Sequence, residues 1–354
     1  MKRIARIAVG VLALAITASP VTAQQLLLQI PPVSPTIADS AAPKERPSRT
    51  SPRYAAVLMD AHTGEILYAN GFRELRHPAS ITKVMTLYLT FDALASGNLK
   101  LTDPVVFSRN AAHQRPSKLG IAPGKSITVD EAIRVIAVKS ANDVAVALAE
   151  TVGGSEEAFV QLMNRKARLL GMRDTVYANP SGLPDPNNIT TAYDLALLSS
   201  ALMRVHPARY AYFSQRTFAY GKQSFTNHNH LLGKVDGMDG IKTGYTVDAG
   251  FTLAASAARE NRRLIAVVLG EPSSAARNRD VTALLEAGFT VLKERGNGIR
   301  LAVTDALPVA QHPAFRSGPV IEQGSNDDEK AVTHSRKAKA KPRHAAKAKK
   351  GSAR

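Results

Sequence analysis

Residues 81–91 constrain this chain more than any other stretch. Ile81, Val84, Met85, Leu87, Tyr88, Leu89 and Phe91 leave a helix drawn through them apolar on almost every face. Such a helix is buried within a core rather than laid on a surface, so the rest of the chain must surround it. Pro78 and Ala79 read as the lead-in, because proline fixes φ and lacks an amide hydrogen, which suits a first turn. Ser80 and Lys83 lie three apart and share one face of that turn. A lysine held there loses hydration, which lowers its pKa and leaves a free amine able to take a proton from serine. The unpaired amides of the first turn point where an oxyanion would sit. Ser80 is the candidate nucleophile and Lys83 its base. In isolation the same four residues also read as an N-cap serine and a lysine snorkelling out of the core.

A chain of 354 residues accommodates such a core in one large domain or two ordinary ones. The absence of cysteine excludes disulfides, thiolate chemistry and cysteine-based zinc sites. The formal charge of +17 is uneven: residues 330–354 hold ten Lys or Arg and no Asp or Glu, and Lys2, Arg3 and Arg6 add three more. The sequence between them is only mildly basic, at about +4. Lys2, Arg3 and Arg6, the apolar residues 7–16 and the small residues Val21, Thr22 and Ala23 form an export signal over residues 1–23. The mature chain then starts at Gln24 and works in the periplasm, so nucleic acid is not an expected partner. The apolar run is short for a membrane span.

Residues 24–52, rich in Pro, Ser, Ala and Thr, read as a flexible leader. The domain is expected over residues 53–296. It starts with two apolar runs around a short turn at residues 61–64, a β-hairpin. Residues 92–232 carry mainly helical patterns and form an insert. Thr128 and Glu131 have capping-box spacing, and further helices cover about 143–151, 155–170 and 191–203. Strand patterns return at residues 240–244, 251–257 and 263–269, and an amphipathic helix covers about 276–294. The economical assembly is an α/β (α+β) domain. One sheet is built from both ends of the chain and covered by the first and last helices, with a cleft between sheet and insert. Residues 299–309 suggest a short strand. The rest of the basic tail, within residues 297–354, has no apolar anchors and reads as disordered.

Two further stretches join Ser80 and Lys83. At residues 138–143 one helix stops and another starts. Ser140 there offers a hydroxyl able to relay a proton, and Asn142 an amide that both donates and accepts. Helix capping by Ser140, Asn142 or Asp143 is the competing reading. On the first strand after the insert, Lys242 and Thr243 make a carboxylate receptor, and Gly244 removes a side chain that would block a substrate lying along the strand. The competing reading is an exposed edge strand guarded by its lysine. Together the three stretches match the Ser-x-x-Lys, Ser-x-Asn and Lys-Thr-Gly set in order.

With their flanks, residues 77–86, 140–143 and 239–246, they closely resemble the D-alanyl-D-alanine carboxypeptidases, the low-molecular-mass penicillin-binding proteins of peptidase family S11. Residues 164–183 also look like that family, and the resemblance spans about 54–295. It implies the penicillin-binding, β-lactamase-like transpeptidase fold, with a five-stranded antiparallel sheet flanked by helices plus a helical insert. It also implies an acyl-enzyme mechanism without metal or organic cofactor. Ser80 would attack the carbonyl of the penultimate D-alanine of a peptidoglycan stem peptide, with Lys83 taking its proton. The amides of Ser80 and Tyr245 would form the oxyanion hole, and Ser140 would relay a proton to the leaving D-alanine. Asn142 would hold the peptide, and Lys242 and Thr243 its terminal carboxylate. β-Lactams would acylate Ser80 as mimics of the substrate.

Two features depart from the family. Tyr193 stands where many relatives carry arginine. The sequence after Arg295 is too short for their second, β-rich domain, and the tail lacks the apolar face of their membrane-docking helix. Loose electrostatic attachment to anionic envelope polymers or head groups is the expectation for that tail; a solubilising end is its alternative. Three other readings remain beside the carboxypeptidase. A D,D-endopeptidase would cut cross-links, a class A β-lactamase would need a Glu-bearing loop that is not evident, and a wall-binding factor would have kept the fold without the reaction.

Overall fold

A computed structural model describes residues 54–308. The export signal, the leader and the tail beyond residue 308 lie outside the described residues. The chain enters as strand β1 (Ala55–Asp60), turns, and returns as β2 (Ile66–Asn70). The turn is closed by Asp60, whose Oδ1 accepts from the amides of His62 at 2.8 Å and Thr63 at 2.9 Å. Three long strands come from the other end of the domain: β3 (Met238–Thr246), β4 (Gly250–Arg259) and β5 (Arg262–Glu271). They join the hairpin in the order β2-β1-β5-β4-β3, with every neighbouring pair antiparallel.

Period-two alternation divides the sheet between two cores. Ala55, Val57 and Met59 of β1 and Ile265, Val267 and Leu269 of β5 face one core, which also contains Val84, Leu87, Tyr88 and Phe91. Ala56 and Leu58, with Leu264, Ala266 and Val268, face the other, closed by Leu284, Leu285 and Val291. The central helix of the first core is α1 (Thr82–Ala95), in which every residue from Thr82 to Phe91 is buried. Two of its three threonines are satisfied inside the core: Thr86 donates to the Pro180 carbonyl at 2.7 Å and Thr90 to the Thr86 carbonyl at 2.9 Å, while the buried Thr82 Oγ1 has no partner among the described residues.

The insert supplies α2 (Val129–Val138), α3 (Asn142–Gly153), α4 (Glu156–Leu169) and α5 (Ala192–Val205). Thr128 and Glu131 form the expected capping box, and Ser155 and Thr191 cap α4 and α5. The outer core is covered by α6 (Ser274–Gly296), capped by Ser273.

Four details depart from the sequence expectations. Ser80 belongs to a 3-10 turn at Ala79–Ile81, and α1 proper starts only at Thr82, because Ala79 takes a positive φ of 48° that no α-helix continues. The insert also carries two short ribbons, pairing Pro104–Val106 with Ser126–Thr128 and Thr217–Tyr220 with Gln223–Thr226. On its inner face the sheet is packed by α5 as well as α1, with α5 lying against β5 and β1. Finally, the described part of residues 299–309 forms a helical turn, Val303–Ala306, rather than a strand. Buried Val303 and Leu307 tuck that turn into the outer core.

Candidate active site

At the mouth of α1, Lys83 Nζ lies 3.0 Å from Ser80 Oγ. The lysine is fully buried, whereas Ser80 is part-exposed. Two further oxygens approach the same nitrogen, Asn142 Oδ1 at 2.7 Å and the Ser181 carbonyl at 2.5 Å. The amide of Asn142 cannot be turned round, because its Nδ2 donates to the Arg115 carbonyl at 2.9 Å. Burial drives the Lys83 pKa well below the usual lysine range. Nearby Lys242 lowers it further, and Asp143 opposes the shift. A neutral amine has two hydrogens and one lone pair. With both hydrogens directed at Asn142 and Ser181, which here only accept, the lone pair faces the Ser80 hydroxyl. That is the arrangement a general base for serine requires.

The junction between α2 and α3 is not a capping site. α3 starts after Ala141 with no side-chain cap, while Asn142 reaches Lys83 instead. Asp143 fastens the preceding loop, its carboxylate accepting from the amides of Leu119 at 2.9 Å and Gly120 at 2.8 Å. Ser140 has a left-handed backbone, with φ of 62°, and its buried Oγ has no hydrogen-bond partner among the described residues. A strained serine with an unsatisfied hydroxyl is uncommon in a purely structural role.

Across from α1 runs β3, at the edge of the sheet. Lys242 does not guard that edge in solvent; it is 2% exposed and donates to the Thr243 carbonyl at 3.1 Å. Burial brings its pKa down to about 7, helped by the Arg277 guanidinium. Thr243 is buried beside it. Gly244 is required by close approach: a Cβ there would lie 2.9 Å from the Ser80 backbone nitrogen and 2.6 Å from Thr252 Oγ1. Tyr245 is half-exposed, its ring tilted by 32° against Phe251 with centroids 4.3 Å apart. The structure thus brings Ser80, Lys83 and Asn142 into direct contact, and sets Gly244 against the Ser80 amide. Ser140, Lys242 and Thr243 are buried near this group without a hydrogen bond to it among the described residues.

Sequence reasoning missed the residue 179–183 loop as a working part. Asn179 Oδ1 gathers the amides of Ser181 and Gly182, at 3.2 and 2.7 Å, and this fold directs the Ser181 carbonyl onto Lys83. Gly182, at φ of 76°, lets the loop reach the Ala79 carbonyl, which an added Cβ would meet at 1.9 Å. Arg277, buried on α6 and donating to the Thr252 carbonyl at 3.4 Å, was also missed. Tyr193 has the Arg73 guanidinium 4.6 Å above its ring. Among the described residues, no three His, Asp or Glu side chains converge as a metal site.

The sequence model of the S11 peptidase family, D-alanyl-D-alanine carboxypeptidase, matches residues 43–273. The chain is 38% identical over 268 residues to D-alanyl-D-alanine carboxypeptidase DacF of Bacillus subtilis, covering 72% of this chain and 68% of that one. Its structure is similar to penicillin-binding protein 5 of Haemophilus influenzae, with a TM-score of 0.65, 34% identity, and coverage of 71% of this chain and 73% of that one. It is also similar to cefotaxime-bound penicillin-binding protein D2 of Listeria monocytogenes, with a TM-score of 0.61, 31% identity, and coverage of 66% and 96%. The chain spans 60 to 68% of the length of the first curated relatives it matches.

Proposed function

Because the chain belongs to the S11 family of D-alanyl-D-alanine carboxypeptidases, we propose that it is a serine D,D-carboxypeptidase that removes the terminal D-alanine from peptidoglycan stem peptides and is acylated by β-lactams. One observation carries the assignment. A buried amine, held by two acceptors and with its pKa driven well below the usual lysine range by burial, lies 3.0 Å from the Ser80 hydroxyl.

The reaction follows from that geometry. Lys83 takes the Ser80 proton as Oγ attacks the carbonyl carbon of the penultimate D-alanine. The negative charge that develops on the carbonyl oxygen is met by the Ser80 and Tyr245 amides, in the space that Gly244 keeps open. The peptide C–N bond breaks, and the leaving nitrogen takes a proton relayed from Lys83 through the Ser140 hydroxyl. Water then attacks the ester, its proton going to Lys83, and Ser80 is regenerated. Lys242 and Thr243 hold the terminal carboxylate, which requires Lys242 as the ammonium. A β-lactam follows the same first half, since its carboxylate and strained amide imitate the substrate. Asn142 aligns the base as well as the peptide.

The same reading makes residues 1–23 an export signal, residues 24–52 a leader, residues 53–296 the peptidase domain and residues 297–354 a basic tail, with the enzyme acting in the periplasm. Among the described residues, no helix is long and apolar enough to cross a membrane. Tail attachment to anionic envelope is tested by a pull-down with purified envelope, with and without residues 330–354.

A fluorescent penicillin tests the central claim. Covalent labelling of the intact chain that is lost in Ser80→Ala, together with release of free D-alanine from a peptide ending in D-Ala-D-Ala, is the expected result. Labelling that survives in Ser80→Ala overturns the assignment. Product analysis on cross-linked and uncross-linked muropeptides separates carboxypeptidase from endopeptidase action.

A further inference from the structure

Two loops flank Lys83, and between them lies a cleft of about 350 Å³ that the reaction above does not use. It is lined by Asn110, His113, Gln114 and Arg115 on one side and Leu183 and Pro184 on the other. Both walls are fastened to the site. Arg115 supplies the carbonyl that fixes Asn142, and Leu183 supplies the carbonyl that receives Asn179 Nδ2 at 3.0 Å. Hydrogen bonds of 3.0, 2.7 and 2.9 Å lead from Ser80 Oγ through Lys83 and Asn142 to the Arg115 backbone. An extended peptide advances about 3.4 Å per residue. A substrate held by Ser80 whose acyl part runs along this wall would place there a residue one to three positions before the scissile bond.

The wall is cationic. Residues 104–129 contain Arg109, Arg115, Lys118 and Lys125 and no Asp or Glu. The carboxylates around the cleft already have donors: Glu150 and Glu156 accept from Asn110 Nδ2, at 3.2 and 2.7 Å, Glu150 also from Ser108 Oγ at 2.9 Å, Asp143 from the Leu119 and Gly120 amides, and Asp185, next to Pro184, from the Asn187 amide at 2.7 Å. Lys118 is turned onto the Ala112 carbonyl and the His113 ring onto that of Arg109. The Arg115 side chain is exposed, and its guanidinium has no ion pair or hydrogen bond among the described residues. A planar fork of donors at the rim of a polar cleft suits a carboxylate.

We propose that this cleft binds a carboxylate in the acyl part of the peptide, one to three residues before the scissile bond, with Arg115 as its charged contact and Leu183 and Pro184 packing the aliphatic stem. The assignment rests on the carboxypeptidase reading. It makes Arg115 a specificity residue for acidic stem peptides, separate from Lys242 and Thr243, which take the chain's terminal carboxylate.

The test uses the full mature chain and two acetylated peptides ending in D-Ala-D-Ala. The two are identical except that an upstream acidic side chain is free in one and a carboxamide in the other. The wild type should favour the free acid by about tenfold in kcat/KM, expressed through KM. Arg115→Ala should bring that ratio close to one, Arg115→Lys should retain part of it, and added salt should shrink it in the wild type. A wild type indifferent to the amidation, or a ratio unchanged in Arg115→Ala, overturns the proposal while leaving the carboxypeptidase reading intact. Failure of the wild type to take penicillin or to release D-alanine from either peptide sinks both.

Discussion

The side-chain amide of Asn142 meets the amine of Lys83 oxygen-first, at 2.7 Å, because the Arg115 carbonyl on its other side claims the amide nitrogen. An acceptor of no net charge in that position directs an N–H without making the ammonium form much more favourable. Asn142→Asp would place a carboxylate there instead, and an opposite charge within hydrogen-bond distance raises a lysine pKa. Acylation by penicillin requires the neutral amine, so the rising limb of its pH profile should move upward by at least one pH unit in Asn142→Asp. At neutral pH the rate should fall at least about tenfold. Stopped-flow acylation measured from pH 6 to pH 10 reads the shift. An unchanged limb would remove Lys83 from the role of base.

Lys242 should produce the opposite dependence. Its pKa of about 7 means that the free enzyme loses its carboxylate-gripping ammonium as the pH rises through neutrality. The kcat/KM for a D-Ala-D-Ala peptide should accordingly decline above pH 7. A bound carboxylate favours the charged form and raises this pKa, so the declining limb of kcat should lie at higher pH than that of kcat/KM.

The same group fixes the sign of a stability effect. Lys242 titrates near 7 when folded and about 10.4 when unfolded. Between those values the unfolded chain binds more protons, so this lysine makes stability rise with pH from 7 to 10. Lys242→Met should flatten that part of the curve and raise stability at pH 6 by a few kcal/mol, on the order expected for relieving a buried amine. Thermal unfolding across that pH range measures both effects.

Gly244→Ala isolates the space beside the nucleophile. The new methyl would lie 2.6 Å from Thr252 Oγ1 and 2.9 Å from the Ser80 nitrogen. The threonine side chain can rotate away, but the Ser80 backbone is held by the 3-10 turn and cannot. Overpacking of this kind costs about 1–3 kcal/mol of stability. Displacing a nucleophile by even 1 Å slows a reaction about a hundredfold. Penicillin acylation should therefore fall about a hundredfold while the protein still unfolds cooperatively. A variant acylated at the wild-type rate would show that nothing needs this space.

Much of this site was legible before any coordinates. Ser80, Lys83, Ser140, Asn142, Lys242, Thr243 and Gly244 stand out by residue type and spacing once the three stretches are taken together, Tyr245 enters only through the family resemblance, and the cap at Thr128 shows in its short-range spacing to Glu131. The Ser181 carbonyl on Lys83 was not legible, because a backbone oxygen has no residue-type signature and its aim depends on how Asn179 folds its own loop. The same holds for the Arg115 carbonyl, which reaches Asn142 only through a tertiary contact across 27 positions. The ribbons at residues 104–106 with 126–128 and 217–220 with 223–226 are too short for alternation to stand out against neighbouring helices. Ala79 gives no sign in the sequence of its positive φ, nor of the close approach of Gly182 to its carbonyl.

Ser140 carries a sharper consequence of such strain. Its φ of 62° costs a residue with a side chain about 1–2 kcal/mol, and its buried Oγ is desolvated without a partner among the described residues. Ser140→Gly removes both penalties. The added flexibility of the unfolded chain returns roughly 0.5–1 kcal/mol of that gain. The net stabilisation should be about 1 kcal/mol, a rise in Tm of about 2–4 °C for a domain of this size. Ser140→Ala keeps the strained backbone and should gain less. If the hydroxyl carries the proton to the leaving D-alanine, both variants should lose at least about a hundredfold in kcat on the peptide, whichever way their Tm moves. A Ser140→Gly protein that is more stable and fully active would show that the strain at this position serves no chemistry.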